Sequence, residues 1–240
     1  MSPDLRKHRG AHPEDRNLFA SEQLPVLCTA TSELSWLLTR GYSMKGALML
    51  VGDRYTLTDR QRLAISRAAC SEQSNGRRAE TQVPTEAAAG EDLVVDGFNL
   101  IITVEAALSG GLLMRCRDGC IRDLSSVHGS YRSVDETDKA ISLIGKALET
   151  LQPKSVVWLL DRPISNSGRL AHRLRDVANE NGWNWSVDVL FNPDAEMSAS
   201  NRIVISSDSH VLDASARWVN FNRFLIDKEL DGSWQIDLSC

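Results

Sequence analysis

The sequence has few cysteines and lacks both long hydrophobic runs and several familiar catalytic motifs. Five cysteines, an odd number scattered over 240 residues, argue against a disulfide framework and fit a reducing cytoplasm. No run of about 18 apolar residues occurs, so we expect no helix that spans a membrane. A Gly-x-Gly-x-x-Gly loop, a P-loop and a Gly-x-Ser-x-Gly elbow are missing, which removes motif support for dinucleotide binding, P-loop chemistry and serine hydrolysis.

The sequence also lacks the positive charge of a protein that coats nucleic acid. Its 27 basic and 32 acidic residues give a net charge of −5. The charge is unevenly divided, because residues 1–80 hold 12 basic and 9 acidic side chains, whereas residues 81–240 hold 15 and 23. We therefore expect two different modules, and only local contacts with any nucleic acid.

Residues 1–72 have a helical pattern and form the first expected module. The expected helices, with their cap signals, are 24–38, 44–51 after Ser43, and 59–70 after a capping box formed by Thr58 and Gln61. A small three-helix unit is typical of a packing or dimerisation module, and a helix-turn-helix DNA reader is the alternative. Residues 73–91 are rich in Ser, Gly, Ala and Glu and are expected to be a loose linker.

Residues 92–240 alternate short apolar runs with helical sequence and form the second expected module. The four runs are residues 93–95, 155–160, 186–191 and 202–206. Such alternation indicates an α/β fold with a mainly parallel sheet that is covered on both faces. Two stretches near the end of the sequence, 218–226 and 234–238, are expected to be final strands that pair antiparallel at the sheet edge.

An aspartate lies at or just beyond the end of each apolar run: Asp96, Asp161, Asp194 and Asp208. The carboxyl ends of parallel strands meet at one edge of a sheet, where ligands of open α/β sheets bind. Four carboxylates in one place repel one another unless a cation lies among them, and oxygen ligands suit Mg²⁺ or Mn²⁺. The sequence therefore predicts a metal site able to support phosphodiester hydrolysis. The alternative is that each aspartate only caps a helix or forms a turn.

Two of these segments carry a resemblance to a known family. The segment Val94–Ile101 (VVDGFNLI) resembles the first motif of PIN-like nucleases, especially their NYN branch. The segment Ile203–Ser209 (IVISSDS) is similar to the fourth-strand motif, in which small hydroxyl residues precede a metal-binding aspartate. Asp161 and Asp194 match by position alone. The resemblance covers residues 93–218, and the helical part that precedes them also resembles an uncharacterised prokaryotic family.

The resemblance implies a Rossmann-like three-layer sandwich with strand order 3-2-1-4-5 and metal-dependent nuclease activity. On this interpretation Asp96, Asp161 and Asp208 are catalytic and, together with Asp194, hold the metal. Asn99 would orient Asp96 or the substrate. The acid that the family usually places on the helix between the first and second strands has no certain match; Asp138 is the nearest candidate, and stabilisation of a helix N-terminus is the favoured alternative.

Two further polar stretches are candidates for binding the substrate phosphate. Residues 165–168 are small and polar and precede a helix, so Ser165, Asn166 and Ser167, with Arg162 beside them, would position phosphate; a well-capped helix start is the alternative. The insert 110–132 is unusually polar and would form a lid whose arginines bind phosphate, or a solvated loop held by its own Arg–Asp pairs. The arginines of this insert are Arg115, Arg117, Arg122 and Arg132.

The favoured function is Mg²⁺- or Mn²⁺-dependent hydrolysis of phosphodiester bonds, with RNA, or single-stranded or structured nucleic acid, as the substrate. A non-catalytic binding or regulatory protein of the same fold is one alternative, and a metal-dependent phosphatase or nucleotide hydrolase is the other. We expect a cytoplasmic protein with no membrane partner, and a homodimer is left open.

Overall fold

The computed structural model describes residues 8–125 and 131–240. The helices are α1 Asp15–Leu18, α2 Leu24–Thr39, α3 Met44–Arg54, α4 Asp59–Ala68, α5 Glu72–Thr81, α6 Gly97–Leu108, α7 Thr137–Thr150, α8 Ser167–Asn181, α9 Pro193–Ala199, α10 Ser209–Ala214 and α11 Phe221–Glu229. The strands are β1 Asp92–Asp96, β2 Leu113–Arg115, β3 Ile121–Asp123, β4 Ser155–Asp161, β5 Trp185–Leu190, β6 Ile203–Ile205 and β7 Gln235–Asp237.

The three helices expected in the N-terminal part are confirmed as α2, α3 and α4. Their start signals act as expected. The Ser43 side chain accepts a hydrogen bond from the Gly46 N–H at 3.2 Å, and Thr58 and Gln61 form a reciprocal capping box at the start of α4. Each cap satisfies backbone donors that the first helical turn leaves without a partner.

The expected loose linker is wrong, because most of residues 73–91 is ordered as helix α5 followed by a 3₁₀ turn, Thr85–Ala88. The Ser71 side chain caps α5 by accepting from the Ser74 N–H. The side chain that α5 buries is Arg78, which is 3% exposed. A helix that buries a charged residue shows no apolar periodicity, and this explains why the pattern indicated a connector.

The expected parallel sheet is confirmed, with four strands in the order β5-β4-β1-β6. Val94 in the central strand β1 pairs with Val157 of β4 and Val204 of β6. Leu93 and Val95 belong to a core shared with α6, α7 and α8, whereas Val94 belongs to a core shared with α9 and α10. The sheet is therefore covered by helices on both faces, which is why its strands read as continuous apolar runs.

The expected arrangement of the last strands is wrong. Residues 218–226 contribute two bridges, from Trp218 to Val204 and to Gln82, and then continue as helix α11. Strand β7 lies in a second sheet of order β3-β2-β7, where it pairs parallel with β2. This second sheet shares a hydrophobic core with the N-terminal helices, in which Leu27 and Leu34 cluster with Met114. The N-terminal helices thus pack on residues from the C-terminal half of the sequence.

The expectation of no disulfide is also wrong, because Cys28 of α2 is bonded to Cys240. The packing of α2 near β7 brings these two cysteines together across 212 residues of sequence, which spacing alone does not reveal. The other cysteines, Cys70, Cys116 and Cys120, are free and buried. As expected, none of the helices within the described ranges is long and apolar enough to cross a membrane.

Candidate functional site

The four predicted aspartates follow the carboxyl ends of the strands of the parallel sheet. Asp96 and Asp161 are the last residues of β1 and β4. Asp194 lies in the first turn of α9, directly after β5, and Asp208 caps α10, directly after β6. Because the strands are parallel, all four positions lie at one edge of the sheet.

Gly97 allows the central aspartate to be placed close to the neighbouring strand. A Cβ atom at this position would lie 2.5 Å from Leu160 Cδ2 and 3.1 Å from the carbonyl oxygen of Leu159. A larger residue would therefore push α6 away from β4. The glycine that follows Asp96 is required by close packing, in addition to any role in a motif.

Asp96 is a buried carboxyl group at the centre of this edge. The Ser206 hydroxyl donates to its Oδ2 atom at 2.8 Å, and the Asn99 backbone N–H donates to its Oδ1 atom at 3.3 Å. Burial raises the pKa of Asp96 to about 7, and the negative charges of Asp208 and Asp194 contribute, against the two hydrogen bonds that lower it. At neutral pH this group is therefore poised between its two protonation states.

The other carboxylates of the edge lie within the electrostatic field of one another. Burial, followed by the charges of Asp194 and Asp208, raises the pKa of Asp161. Desolvation and then the charge of Asp208 raise the pKa of Asp194, while His210 lowers it. The edge therefore concentrates negative charge that the protein does not neutralise, and this is the electrostatic environment that attracts a cation.

The carboxylate oxygens of this edge have the chemistry that Mg²⁺ and Mn²⁺ prefer. In the described residues, however, no group of three or more His, Cys, Asp or Glu side chains is placed to hold one metal ion. Asp208 also uses Oδ1 to cap α10, accepting from the backbone N–H groups of His210 and Val211 at 2.8 and 3.2 Å. The donor set thus fits such an ion in type and charge, and coordination requires the carboxylates to draw closer together.

The Asn99 side chain contacts the loop after β6, whereas the backbone N–H of Asn99 donates to Asp96. Its Oδ1 atom accepts from the Ser207 N–H at 3.0 Å and from the Ser207 hydroxyl at 2.8 Å. These two bonds fix the orientation of the amide, since a backbone N–H can only donate. The Nδ2 group of Asn99 is left without a hydrogen-bond partner in the described part of the chain, and the residue is half-buried.

Arg122 is a structural residue rather than a free phosphate ligand, which corrects the expectation. It is 7% exposed and forms a two-point ion pair with Asp118 at 2.9 and 2.6 Å. Its Nε atom donates to the Ser207 carbonyl oxygen at 2.7 Å, and Nη1 donates to the Arg67 carbonyl oxygen at 3.2 Å. Arg122 therefore supports the loop that carries Asp208 through its hydrogen bond to Ser207.

The sequence interpretation missed Arg78, which completes this network from α5. Arg78 donates to Asp118 at 2.6 Å, to Asp213 at 2.7 Å and to the Ser209 carbonyl oxygen at 3.3 Å. Although burial opposes ionisation, the charges of Arg122 and Arg78 hold the pKa of Asp118 well below its usual range. A buried arginine on a polar helix leaves no periodic signal, so only the structure reveals this support.

The stretch before α8, expected to position phosphate, makes several contacts within the protein. The Asn166 side-chain Nδ2 donates to the Tyr131 carbonyl oxygen at 2.7 Å, and the Ser165 carbonyl oxygen accepts from the Tyr131 N–H at 3.2 Å. Ser167 is buried as the first residue of α8 and does not cap it through its side chain. The guanidinium of Arg162 lies over another side chain, 4.7 Å from the ring centre of Phe191. Ser165 and Asn166 therefore hold the end of the polar insert at Tyr131.

The first part of the polar insert is the hairpin β2–β3 of the second sheet. The expectation that this part forms a lid is therefore wrong. Arg115 pairs with Asp227, and Arg117 pairs with Glu72 at 2.6 Å. Residues 126–130 of the insert, including His128, lie outside the described residues. Asp138 is in the first turn of α7 and pairs with Arg173 at 2.7 Å.

A cleft of about 570 Å³ lies beside the carboxylate edge, between the N-terminal helices and the α/β part. Its α/β wall includes Asn99, Ser207, Asp208 and His210. The opposite wall comes from α4 and the start of α5. The remaining lining residues include Leu38, Met44, Ser66, Arg67, Ala69, Cys70, Ser71, Ser74, Arg78, Ile102, Arg122, Asp123, Ser125, Ser209 and Asp213.

Two family models match separate segments of this chain, and the cleft lies between those segments. A family model described as a domain of unknown function, DUF5616, matches residues 85–224. The chain belongs to the DUF5616 family. A second model, described as a protein of unknown function, DUF434, matches residues 26–80. Among curated proteins, the uncharacterized protein MJ0935 of Methanocaldococcus jannaschii is 31% identical over 183 residues, which are 76% of this chain and 87% of the relative. No solved structure matches the chain.

The DUF5616 match contains all four strand-end aspartates and the loop that follows β6. The DUF434 match contains most of α2, all of α3 and α4, and most of α5. The cleft therefore has one wall from each matched segment. The buried pair of Arg78 with Asp118 also joins the DUF434 part to the DUF5616 part.

Proposed function

We propose that this DUF5616 protein is a Mg²⁺- or Mn²⁺-dependent nuclease of the PIN-like, NYN type that hydrolyses phosphodiester bonds in RNA. The observation that carries the proposal is the convergence of four carboxylates at one edge of a parallel sheet, where Asp96 is buried and its pKa is raised to about 7. A buried acid beside other carboxylates is costly to folding unless it serves chemistry.

The strand order lends support to a PIN-like fold. Numbered by their place along the chain, the four parallel strands lie in the order 3-2-1-4, which is the beginning of the order that the sequence resemblance implies. Trp218 bridges to Val204 beyond β6, at the place where a fifth strand would lie. The two motifs of the resemblance lie at β1 and β6, which are neighbours in the sheet.

The residues of the edge have separate roles in this proposal. Asp96, Asp161, Asp194 and Asp208 would hold the cation. A bound divalent ion supplies Lewis acidity to the phosphate and lowers the pKa of a nearby water. Ser206 holds the Oδ2 atom of Asp96 in place, and Asn99 presents its free Nδ2 group to an acceptor such as a phosphate oxygen.

A metal-dependent phosphatase or nucleotide hydrolase is the second candidate, because the cleft beside the edge has a volume typical of small-molecule sites. Such an enzyme would release inorganic phosphate from a monoester and leave internal phosphodiester bonds intact. A non-catalytic relative of the same fold would do neither, and would bind Mn²⁺ weakly or not at all.

The deciding experiment is a cleavage assay with end-labelled single-stranded RNA and DNA of the same sequence, with p-nitrophenyl phosphate as the monoester. We expect Mn²⁺-dependent cleavage of RNA that Asp96→Asn lowers by at least about 100-fold. Asp53→Asn is the matched control, because Asp53 is an exposed acid of α3 that pairs with Arg62. Activity of Asp96→Asn equal to the wild type, or an equal loss in Asp53→Asn, would overturn the proposal.

A further inference from the structure

The cleft between the N-terminal helices and the carboxylate edge has a use that the four aspartates alone do not explain. We infer that it holds one nucleotide of the substrate next to the phosphate under attack, so that the N-terminal helices form half of the substrate-binding site. This inference rests on the proposed nuclease function and adds a base- and sugar-binding subsite to it.

The cleft and the carboxylate edge are continuous. Asp208 and Asn99 line the cleft, while the Asn99 N–H donates to Asp96 at the edge. Ser207 also lines the cleft, and its neighbour Ser206 donates to Asp96. A phosphate bound near Asp208 would therefore place the attached sugar and base inside the cleft.

The size and shape of the cleft indicate what it can take. A volume of about 570 Å³ lies within the range of about 300–1,000 Å³ found for small-ligand sites. One nucleotide fits such a space and a duplex does not. Leu38, Met44 and Ile102 add apolar side chains to the lining, and apolar side chains of this kind suit the faces of a base.

The polar groups of the cleft wall suit the sugar and phosphate. Asn99 Nδ2 is an oriented donor with no hydrogen-bond partner in the described part of the chain. The Ser209 and His210 side chains add polar groups on the same wall. Oriented donors next to a cation are the usual ligands of a phosphate ester.

Two acidic residues of the cleft, Asp123 and Asp213, are engaged by the protein, whereas the charge of Asp208 is left for the cation that the proposed function places beside it. Asp123 accepts from the Thr103 hydroxyl at 2.8 Å and lies 3.7 Å from Arg67. Asp213 accepts from Arg78 at 2.7 Å and from the Ser74 hydroxyl at 3.2 Å.

The two walls of the cleft are tied together by the buried arginines, so the site exists before a ligand arrives. Arg122 donates to the Arg67 carbonyl oxygen on one wall and to the Ser207 carbonyl oxygen on the other. Arg78, from α5, donates to the Ser209 carbonyl oxygen across the cleft. A preformed cleft binds with less loss of conformational entropy than one that must assemble around its ligand.

The test is the binding of adenosine 5′-monophosphate, measured by isothermal titration calorimetry with the full chain in Mg²⁺ and separately in EDTA. Adenosine and inorganic phosphate are the comparison ligands. Ser66→Trp places a large side chain in the cleft from α4, and Ser32→Trp is the matched control, because Ser32 lies on α2 and lines a different groove. Met44→Glu is a second cleft variant, at the exposed start of α3, for use if Ser66→Trp does not fold.

We expect the monophosphate to bind more tightly than either comparison ligand, Ser66→Trp and Met44→Glu to weaken it at least about tenfold, and Ser32→Trp to leave it unchanged. In cleavage assays the cleft variants should raise KM for RNA more than they lower kcat. No saturable binding of the monophosphate, binding by Ser66→Trp and Met44→Glu equal to the wild type, or equal affinity for inorganic phosphate alone would overturn the inference.

The two proposals fail separately in this design. Asp96→Asn should lose cleavage and keep the binding of the monophosphate. If the wild type binds the monophosphate in the cleft but cleaves no phosphodiester, the nuclease proposal is wrong and the cleft assignment stands. If RNA is cleaved and the cleft variants change neither KM nor binding, the cleft assignment is wrong and the nuclease proposal stands.

Discussion

Asn99 accepts two hydrogen bonds from one residue, Ser207, through the backbone N–H at 3.0 Å and through the hydroxyl at 2.8 Å. This pair joins the start of α6 to the loop after β6, and thereby joins the two segments that carry the recognisable motifs. The Asn222 Nδ2 group donates to the same Ser207 hydroxyl at 3.3 Å, so the loop is held from two sides.

Asn99→Ala should destabilise the protein by about 1–3 kcal/mol, because the buried Ser207 N–H loses its acceptor and gains no other. Urea unfolding at pH 7 with EDTA measures the change. Asn99→Asp keeps an acceptor oxygen at this position and should lose less. A change below about 0.5 kcal/mol in Asn99→Ala would mean that the loop does not depend on this contact.

The raised pKa of Asp96 makes the free energy of unfolding depend on pH in a known direction. The native group ionises at about pH 7 and the ordinary value is 3.8, so between these values the native state holds a proton that the unfolded chain has released. Stability in EDTA should therefore fall as the pH rises from 4 to 7 and level off above that.

Asp96→Asn removes this titration, so its stability relative to the wild type should increase by about 2–3 kcal/mol between pH 5 and pH 8. Urea unfolding at the two pH values provides the measurement, and Asp138→Asn serves as the control because its partner Arg173 is also exposed. If the difference in unfolding free energy between Asp96→Asn and the wild type is the same at both pH values, Asp96 titrates normally.

Binding of Mn²⁺ should release protons, because a metal ligand must be ionised and Asp96 is only partly ionised at neutral pH. At pH 7 we expect about half a proton per ion from this group, and less at pH 8. Calorimetry in two buffers of different ionisation enthalpy counts the protons. Mn²⁺ binding heats that are the same in both buffers would argue against Asp96 as a ligand. Binding heats in Asp96→Asn equal to those of the wild type would argue against it as well.

Asp118 is the shared partner of two buried arginines; its loss leaves Arg122 without an acidic partner among the described residues and leaves Arg78 with Asp213 alone. Asp118→Asn should cost about 3–5 kcal/mol of unfolding free energy, as is usual when one member of a buried ion pair is removed. Asp138→Asn breaks an exposed pair and should cost less than about 1 kcal/mol. Equal costs in the two variants would contradict the structural role of the Arg78–Asp118–Arg122 network.

Much of the α/β part could be predicted from the sequence. Buried parallel strands read as apolar runs such as residues 155–160, and the aspartates that end them follow from strand polarity alone. The capping signals at Ser43 and Thr58 also placed their helices correctly, because caps depend on neighbouring residues only.

The second sheet and the support of the site could not be predicted. Strands β2, β3 and β7 have three residues each, which is too short for a period of two to be visible. Helix α5 buries Arg78, and Arg122 pairs with a buried acid. From the sequence, charged residues such as these are predicted to be exposed. The assignment of Arg122 to phosphate failed because a sequence does not reveal which donors the protein already uses.

The bond between Cys28 and Cys240 closes a covalent ring around every strand and nearly all of the helices. A peptide bond cut in any loop within this ring opens it without separating the pieces. Fragments from limited proteolysis would therefore migrate together in a gel until a reductant is added, and then as two species.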